Sequence, residues 1–337
     1  MIPDNCFTRS RVRSSIGVAQ DILLYVVALG ALVLVHHWWL IVPLELLAGL
    51  AVSGLFVLGH DAAHQALFDS RQVNTNVARV LFLPSLHVRE AWVVGHNRVH
   101  HGFTTRQGMD FVWHPLTPPE YQRLGRLGRL RHRLEWSSLG CGAYYLREVW
   151  WNKMIRFDPP AKHAAAVRTD FRLVSAWAVL TLGGSAALGW WVRGSLLWAV
   201  LLPIELVVVP FLLFSGVIGW VVYLHHVGPE IRWWTSAEWT RRRAQTESTT
   251  ILRAPWCLNM FLHHIFVHVP HHVDARIPWY RLPRAAEAIK AELGATVTDT
   301  RLRLADYLHT TRVCKLYDFD AGRWLGYGEA GSVSSPA

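Results

Sequence analysis

The side chains best equipped for chemistry in this sequence are its histidines. There are 19 in 337 residues, and most fall in four clusters. HDAAH carries His60 and His64, and GHNRVHHGF carries His96, His100 and His101. VYLHHVGP carries His225 and His226, and LHHIFVHVPHH carries His263, His264, His268, His271 and His272. His60 and His64 are four apart, as are His96 and His100, while His268, His271 and His272 stand at i, i+3 and i+4. On a helix those spacings share a face, so each cluster can aim two or three imidazoles at one point. Neutral imidazole is the commonest protein metal ligand and suits iron, zinc or copper. One HxxxH alone reads better as a pair of solvated interfacial histidines. Several clusters meeting at one membrane face read as a metal site, because ionisable groups rarely gather there without function. His132, His163 and His309 are isolated, His87 and His114 lack a partner at ligand spacing, and His36 and His37 belong to the opposite side of the membrane.

The donor set narrows the metal. Structural zinc wants four ligands, often with cysteine, and the four cysteines (Cys6, Cys141, Cys257, Cys314) form no pair at metal spacing. HExxH is absent, which removes the common zinc-protease reading. Two ions with roughly four imidazoles each fit the count, and iron is the useful candidate beside a bilayer. Side chains cannot break an unactivated alkyl C–H bond, whereas iron that activates O2 can. Asp61 and Asp110 then fit as carboxylates that orient ligand imidazoles rather than as ligands.

These clusters must be held by membrane elements. Hydrophobic residues make up 52% and charged residues 17% of the chain, too apolar a balance for an ordinary soluble domain. From Ile22 to Leu58 the only charge is Glu45, and such a tract as helix spans about 55 Å, close to two crossings of a roughly 30 Å hydrocarbon layer. His36–Trp39 and Pro43 stand where a hairpin turn with interfacial aromatics belongs. A second apolar tract, Leu173 to Leu224, is broken at Trp190–Gly194 and bent near Pro203 and Pro210. The N-terminal helix is read as retained rather than as a signal peptide, since the apolar stretch runs on without a small-residue cleavage site. Arginines cluster before the first span, between the hairpins and after the fourth span, which puts both termini and the middle segment on the cytoplasmic side. Two crossings separate the first two histidine clusters from the last two, so all four return to one face. The net charge of +10 suits an anionic leaflet better than nucleic acid.

The expected fold is all-α: a four-transmembrane-helix domain under a helical cytoplasmic cap holding a histidine-ligated di-iron site. Residues 1–18 form an N-terminal segment. Residues 19–320 form the membrane domain, with spans at about 20–38, 40–59, 172–192 and 196–224 and the cap in 60–170 and 225–320. Residues 321–337 are expected to be a flexible tail.

The stretches GHDAAHQALF, LFLPSLHVREAWVVGHNRVHHGFTTRQGMDFVWHPLTPPEY, AYYLREVWWNKMI and HHIFVHVPHHVDARIPWYRL together resemble the membrane fatty acid desaturases with their three histidine boxes. The pattern is nearest to bacterial acyl-lipid enzymes of the Δ12 (omega-6) type, over roughly residues 20 to 295. The resemblance implies two iron ions held by His60, His64, His96, His100, His101, His268, His271 and His272, with His226 as ninth ligand in a stretch similar to YLQHTxP. It places His225 at that stretch's Gln position and His264 near a metal-bound water. HHVGP in place of QHTxP, and HVPHH in box three, are departures around the substrate cavity.

The implied reaction is O2-dependent insertion of a double bond into the acyl chain of a membrane lipid or acyl thioester. The acyl C–H bonds give two of the four electrons O2 needs. The sequence holds no Gly-rich dinucleotide fingerprint, so a separate carrier gives the other two, and the resemblance suggests ferredoxin. The basic stretch RLGRLRHR, Arg126–Arg133, either docks an acidic carrier or lies as an amphipathic helix on anionic lipid. A fatty acyl hydroxylase or carotenoid oxygenase on the same scaffold is the alternative. A histidine-rich metal transporter is a more distant one, since its ligands would line a path at the bilayer midplane. The expected location is a bacterial inner membrane.

Overall fold

The computed structural model describes residues 2–35 and 37–329. His36 and residues 330–337, the end of the expected tail, lie outside the described residues. Four of the described helices are long and apolar enough to cross a bilayer, and the chain is a multi-pass membrane protein. They cover Arg11–Leu34, Trp38–Ala63, Ala161–Arg193 and Leu196–His226.

The helices differ from the expected spans at their ends, for local reasons. The first begins at Arg11 because the Ser10 side chain caps it, accepting from the Arg13 N–H. The first helix ends at Leu34 and the second begins at Trp38, so Pro43 stands inside the second helix rather than between the two. The third runs for 33 residues, about 50 Å of helix, so its polar start with Lys162, Arg168, Asp170 and Arg172 runs ahead of the hydrocarbon layer. In the fourth, Pro203 is followed by a π-helical turn, Ile204–Val208, where the ladder loses a donor.

Phe56 and Val57 of the second span pack with Phe214 and Ile218 of the fourth. The cap is built from short helices on both sides of the second hairpin, and it docks on the fourth span where glycines allow backbones to meet. A Cβ on Gly142 would lie 3.0 Å from the Cα of Gly216, and one on Gly219 would collide with the Cys141 carbonyl. Two small two-stranded sheets complete it: Thr250–Arg253 parallel to Thr298–Arg301, and Leu316–Asp318 antiparallel to Arg323–Leu325. The second sheet corrects the expectation of a flexible tail from residue 321. Trp324 is buried and donates to the Ile231 carbonyl at 2.8 Å, and the Tyr327 ring stacks on Tyr121. These aromatic side chains bury enough surface to order the backbone that carries them.

Gly219→Val should therefore separate the cap from the fourth span, at a cost of about 1–3 kcal/mol for overpacking. The check is a lower thermal unfolding midpoint in detergent than that of the unchanged protein.

Candidate metal centre

The second span delivers His60 at its last turn and His64 at its C-cap, and the fourth ends on His225 and His226. His268, His271 and His272 lie on the short helix His268–Val273. His96 and His100 lie on a π-helix, Val93–His100, which continues into His101–Phe103. Sequence spacing treated this segment as α-helix. Its i→i+5 bonds bring residues five apart onto one face, so His96 and His101 meet, their Nε2 atoms 3.1 Å apart.

The nine histidines form two groups, His60, His64, His96, His101 and His271, and His100, His226, His268 and His272. Within each, one nitrogen per ring lies within 4.8 Å of the others. The grouping corrects the idea that each sequence cluster serves one point. The doublets His100–His101 and His271–His272 each send one ring to each group, because neighbouring helical residues are about 100° apart. Adjacent histidines thus let one helix contribute to both groups.

Hydrogen bonds fix which nitrogen faces inward. His60 Nδ1 donates to Asp61 at 3.1 Å, and His100 Nδ1 meets both carboxylate oxygens of Asp110 at 3.0 Å. Asp110 is itself held by the Thr105 and Val112 N–H groups, and Asp61 by that of Trp279. His226 Nδ1 donates to the Ser248 carbonyl at 3.1 Å. The Thr104 hydroxyl donates to the His100 carbonyl, leaving its oxygen to accept from His272 Nδ1 at 3.2 Å. Asp61 and Asp110 were visible as candidates in the sequence. Thr104 and Ser248 were not, since one acts across 168 positions and the other through its backbone.

The opposite ring nitrogens fit a bound metal. His64 Nε2, His226 Nε2, His268 Nδ1 and His272 Nε2 are buried without a hydrogen-bond partner, a costly state unless an ion accepts the lone pair. His271 Nε2 also faces His101 Nε2 at 3.1 Å, about the separation of two ligands each roughly 2.1 Å from a shared ion. Burial first, and neighbouring imidazoles second, push His64, His96, His268 and His272 well below the usual histidine range. Neutral rings are the form that binds metal. The two groups are suited to a pair of iron ions.

Two further histidines flank the groups. The His225 ring stacks on His268 at 3.7 Å, and neither of its nitrogens has a hydrogen-bond partner. His264 lies outside both groups, its ring against Trp279. Its neighbour His263 pairs with Asp21 of the first span at 2.6 Å, a contact without any signature in sequence. A cavity leaves the histidines between the spans, walled by Phe56, Tyr145, Val149, Met154, Ile218 and Val221. Beside it His87 donates from Nδ1 to the Ser85 carbonyl and accepts from the Tyr145 hydroxyl at 2.9 Å.

Two outcomes follow. Asp110→Asn should lower iron affinity about 10- to 100-fold, read as iron per chain after dialysis against a graded chelator. Burial lowers His87 and His132 to about 4 from an ordinary 6.5, so the unfolded chain binds more protons between those values. Their contribution to stability is then full above pH 6.5 and is lost as pH falls toward 4, measurable as a decline in unfolding midpoint that His87→Leu makes shallower.

Comparison with known proteins converges on the same chemistry. The family model described as fatty acid desaturase matches residues 36–301. An sn-1 oleoyl-lipid 12-desaturase of Arthrospira platensis is 27% identical over 291 residues, covering 83% of this chain and 77% of that protein. A chloroplastic omega-6 fatty acid desaturase of Glycine max is 27% identical, covering 94% and 72%. An sn-1 acyl-lipid omega-3 desaturase (ferredoxin) of Nostoc sp. is 28% identical, covering 87% and 79%. With four spans, two groups of buried imidazoles and a family match over most of its length, the chain belongs to the fatty acid desaturase family.

Proposed function

We propose that this oxidoreductase desaturates an acyl chain of a membrane glycerolipid at the 12 (omega-6) position, with its active site and termini in the cytoplasm. The relatives named 12- and omega-6 desaturases support the position, and the cavity beginning at both histidine groups carries the reading.

His60, His64, His96, His101 and His271 would hold one iron ion, and His100, His226, His268 and His272 the other. Bound there, iron supplies the O2 activation and C–H cleavage that no side chain can perform. The protein's own part is positioning and exclusion. Asp61 and Asp110 hold His60 and His100 in one tautomer, with Nδ1 protonated and Nε2 free. Phe56, Val149, Ile218 and Val221 wall the cavity, where an acyl chain gains burial and water is displaced. His225 lines the same cavity with both nitrogens open, one to hold a proton and one to accept a bond from water. The balance is –CH2–CH2– + O2 + 2 electrons + 2 protons → –CH=CH– + 2 H2O, with the two electrons from an outside carrier. A ferredoxin is the donor class, supported by the Nostoc relative's name.

The helix Arg126–Glu135 fits the lipid reading of its sequence. It presents exposed Leu127, Leu130 and Leu134 in one stripe, with arginines on both sides, as a helix lying in an anionic interface does.

Expression in a host that makes oleate but no dienes should yield a diene with the new bond at carbon 12, located by mass spectrometry of total fatty acids. The product should be two hydrogens lighter than its substrate, and His271→Ala should abolish it. A product one oxygen heavier would make the enzyme a hydroxylase instead.

A further inference from the structure

Resting on the desaturase reading, the two external electrons must reach iron through this chain's own surface. Seven of the nine histidines are buried, whereas His96 and His101 are only half-buried. Next to His101 stands Gly102, where a Cβ would meet nothing within 4 Å. The segment His96–Phe103 is therefore where a docked protein comes nearest the ligand rings.

Its surroundings are basic. Arg98 is exposed on the same π-helix. Arg106 stands 5.5 Å from the Phe103 ring and 5.6 Å from the Trp239 ring. The Trp239 indole donates to the Thr104 carbonyl at 3.0 Å, fixing the loop that follows against this segment. That loop leads into the helix Arg241–Thr246, which packs on both His101–Phe103 and His268–Val273 and opens with the exposed Arg241, Arg242 and Arg243. Near them, Asp274 is already matched by Arg276 at 2.6 Å.

The other basic element offers less. The cleft beside Arg131 reaches Asp110, but Glu135 and Glu148 also wall it, each paired with Arg147. An acidic partner would meet carboxylates there.

We propose that an acidic one-electron carrier protein docks on the face framed by Arg98, Arg106, Arg241 and Arg242, and passes electrons through His96 and His101. Two such transfers supply the two electrons that, with O2 and two protons, accompany removal of two hydrogens from the acyl chain. Complementary charge of this kind steers encounter and weakens with salt.

The test uses iron-loaded full-length enzyme in oleoyl-lipid vesicles. Turnover is driven by reduced plant-type ferredoxin or, separately, by dithionite-reduced methyl viologen. Combined Arg98→Glu, Arg241→Glu and Arg242→Glu should raise KM for ferredoxin about 10-fold or more, with iron content and viologen-driven turnover unchanged. Arg126→Glu with Arg129→Glu should leave KM for ferredoxin unchanged. Should the triple variant fail to retain iron, Arg242→Glu alone carries the same test, with a smaller rise in KM. An unchanged KM in the Arg98/Arg241/Arg242 variants, or a rise confined to the Arg126/Arg129 variant, overturns the docking face. Absence of desaturated product from the unchanged enzyme with either reductant overturns the desaturase reading, and the proposal with it.

Discussion

The structure turns on a cost that a bound metal would offset: buried imidazole nitrogens with no hydrogen-bond partner. His64, His226, His268 and His272 each bury one, and His101 Nε2 faces both His96 Nε2 and His271 Nε2 at 3.1 Å. Lone pairs crowded in this way repel, and protonation is opposed by burial and by neighbouring rings. A divalent ion bound in each group would remove both problems. The remaining nitrogens of His60, His100, His226 and His272 are tied to Asp61, Asp110, Ser248 and Thr104, which holds the rings in place.

That arrangement dictates the membrane architecture. The second and fourth spans end on His60 and His226, and their Phe56–Phe214 contact at 5.1 Å fixes them relative to each other. The two short helices bearing the doublets are then laid between these ends, each serving both groups. Gly142 and Gly219 let the cap come close to the fourth span. The same second and fourth spans wall the cavity, so cavity and histidine groups share one set of supports.

Much of this was legible in the sequence. Long apolar tracts separated by Arg-rich segments carry the four spans, and the even number of crossings brings all four histidine clusters to one end. The di-iron reading follows from counting imidazoles. Other features were hidden for identifiable reasons. The π-helix at Val93–His100 differs from an α-helix by one hydrogen-bond step, which hydropathy does not record. The division of each doublet between two groups depends on helix direction. The start of the second helix at Trp38 was obscured by Pro43, which that helix accommodates. The strand Arg323–Leu325 depends on Trp324 finding the Ile231 carbonyl 93 positions away.

The central claim is that nine histidines hold two iron ions in separate groups joined by the doublets. Metal analysis with Mössbauer spectroscopy of the purified, iron-57-loaded chain tests it most directly. The account predicts two irons per chain in a nitrogen-rich environment, with magnetic coupling between them. One iron per chain, or zinc retained in its place, would contradict it.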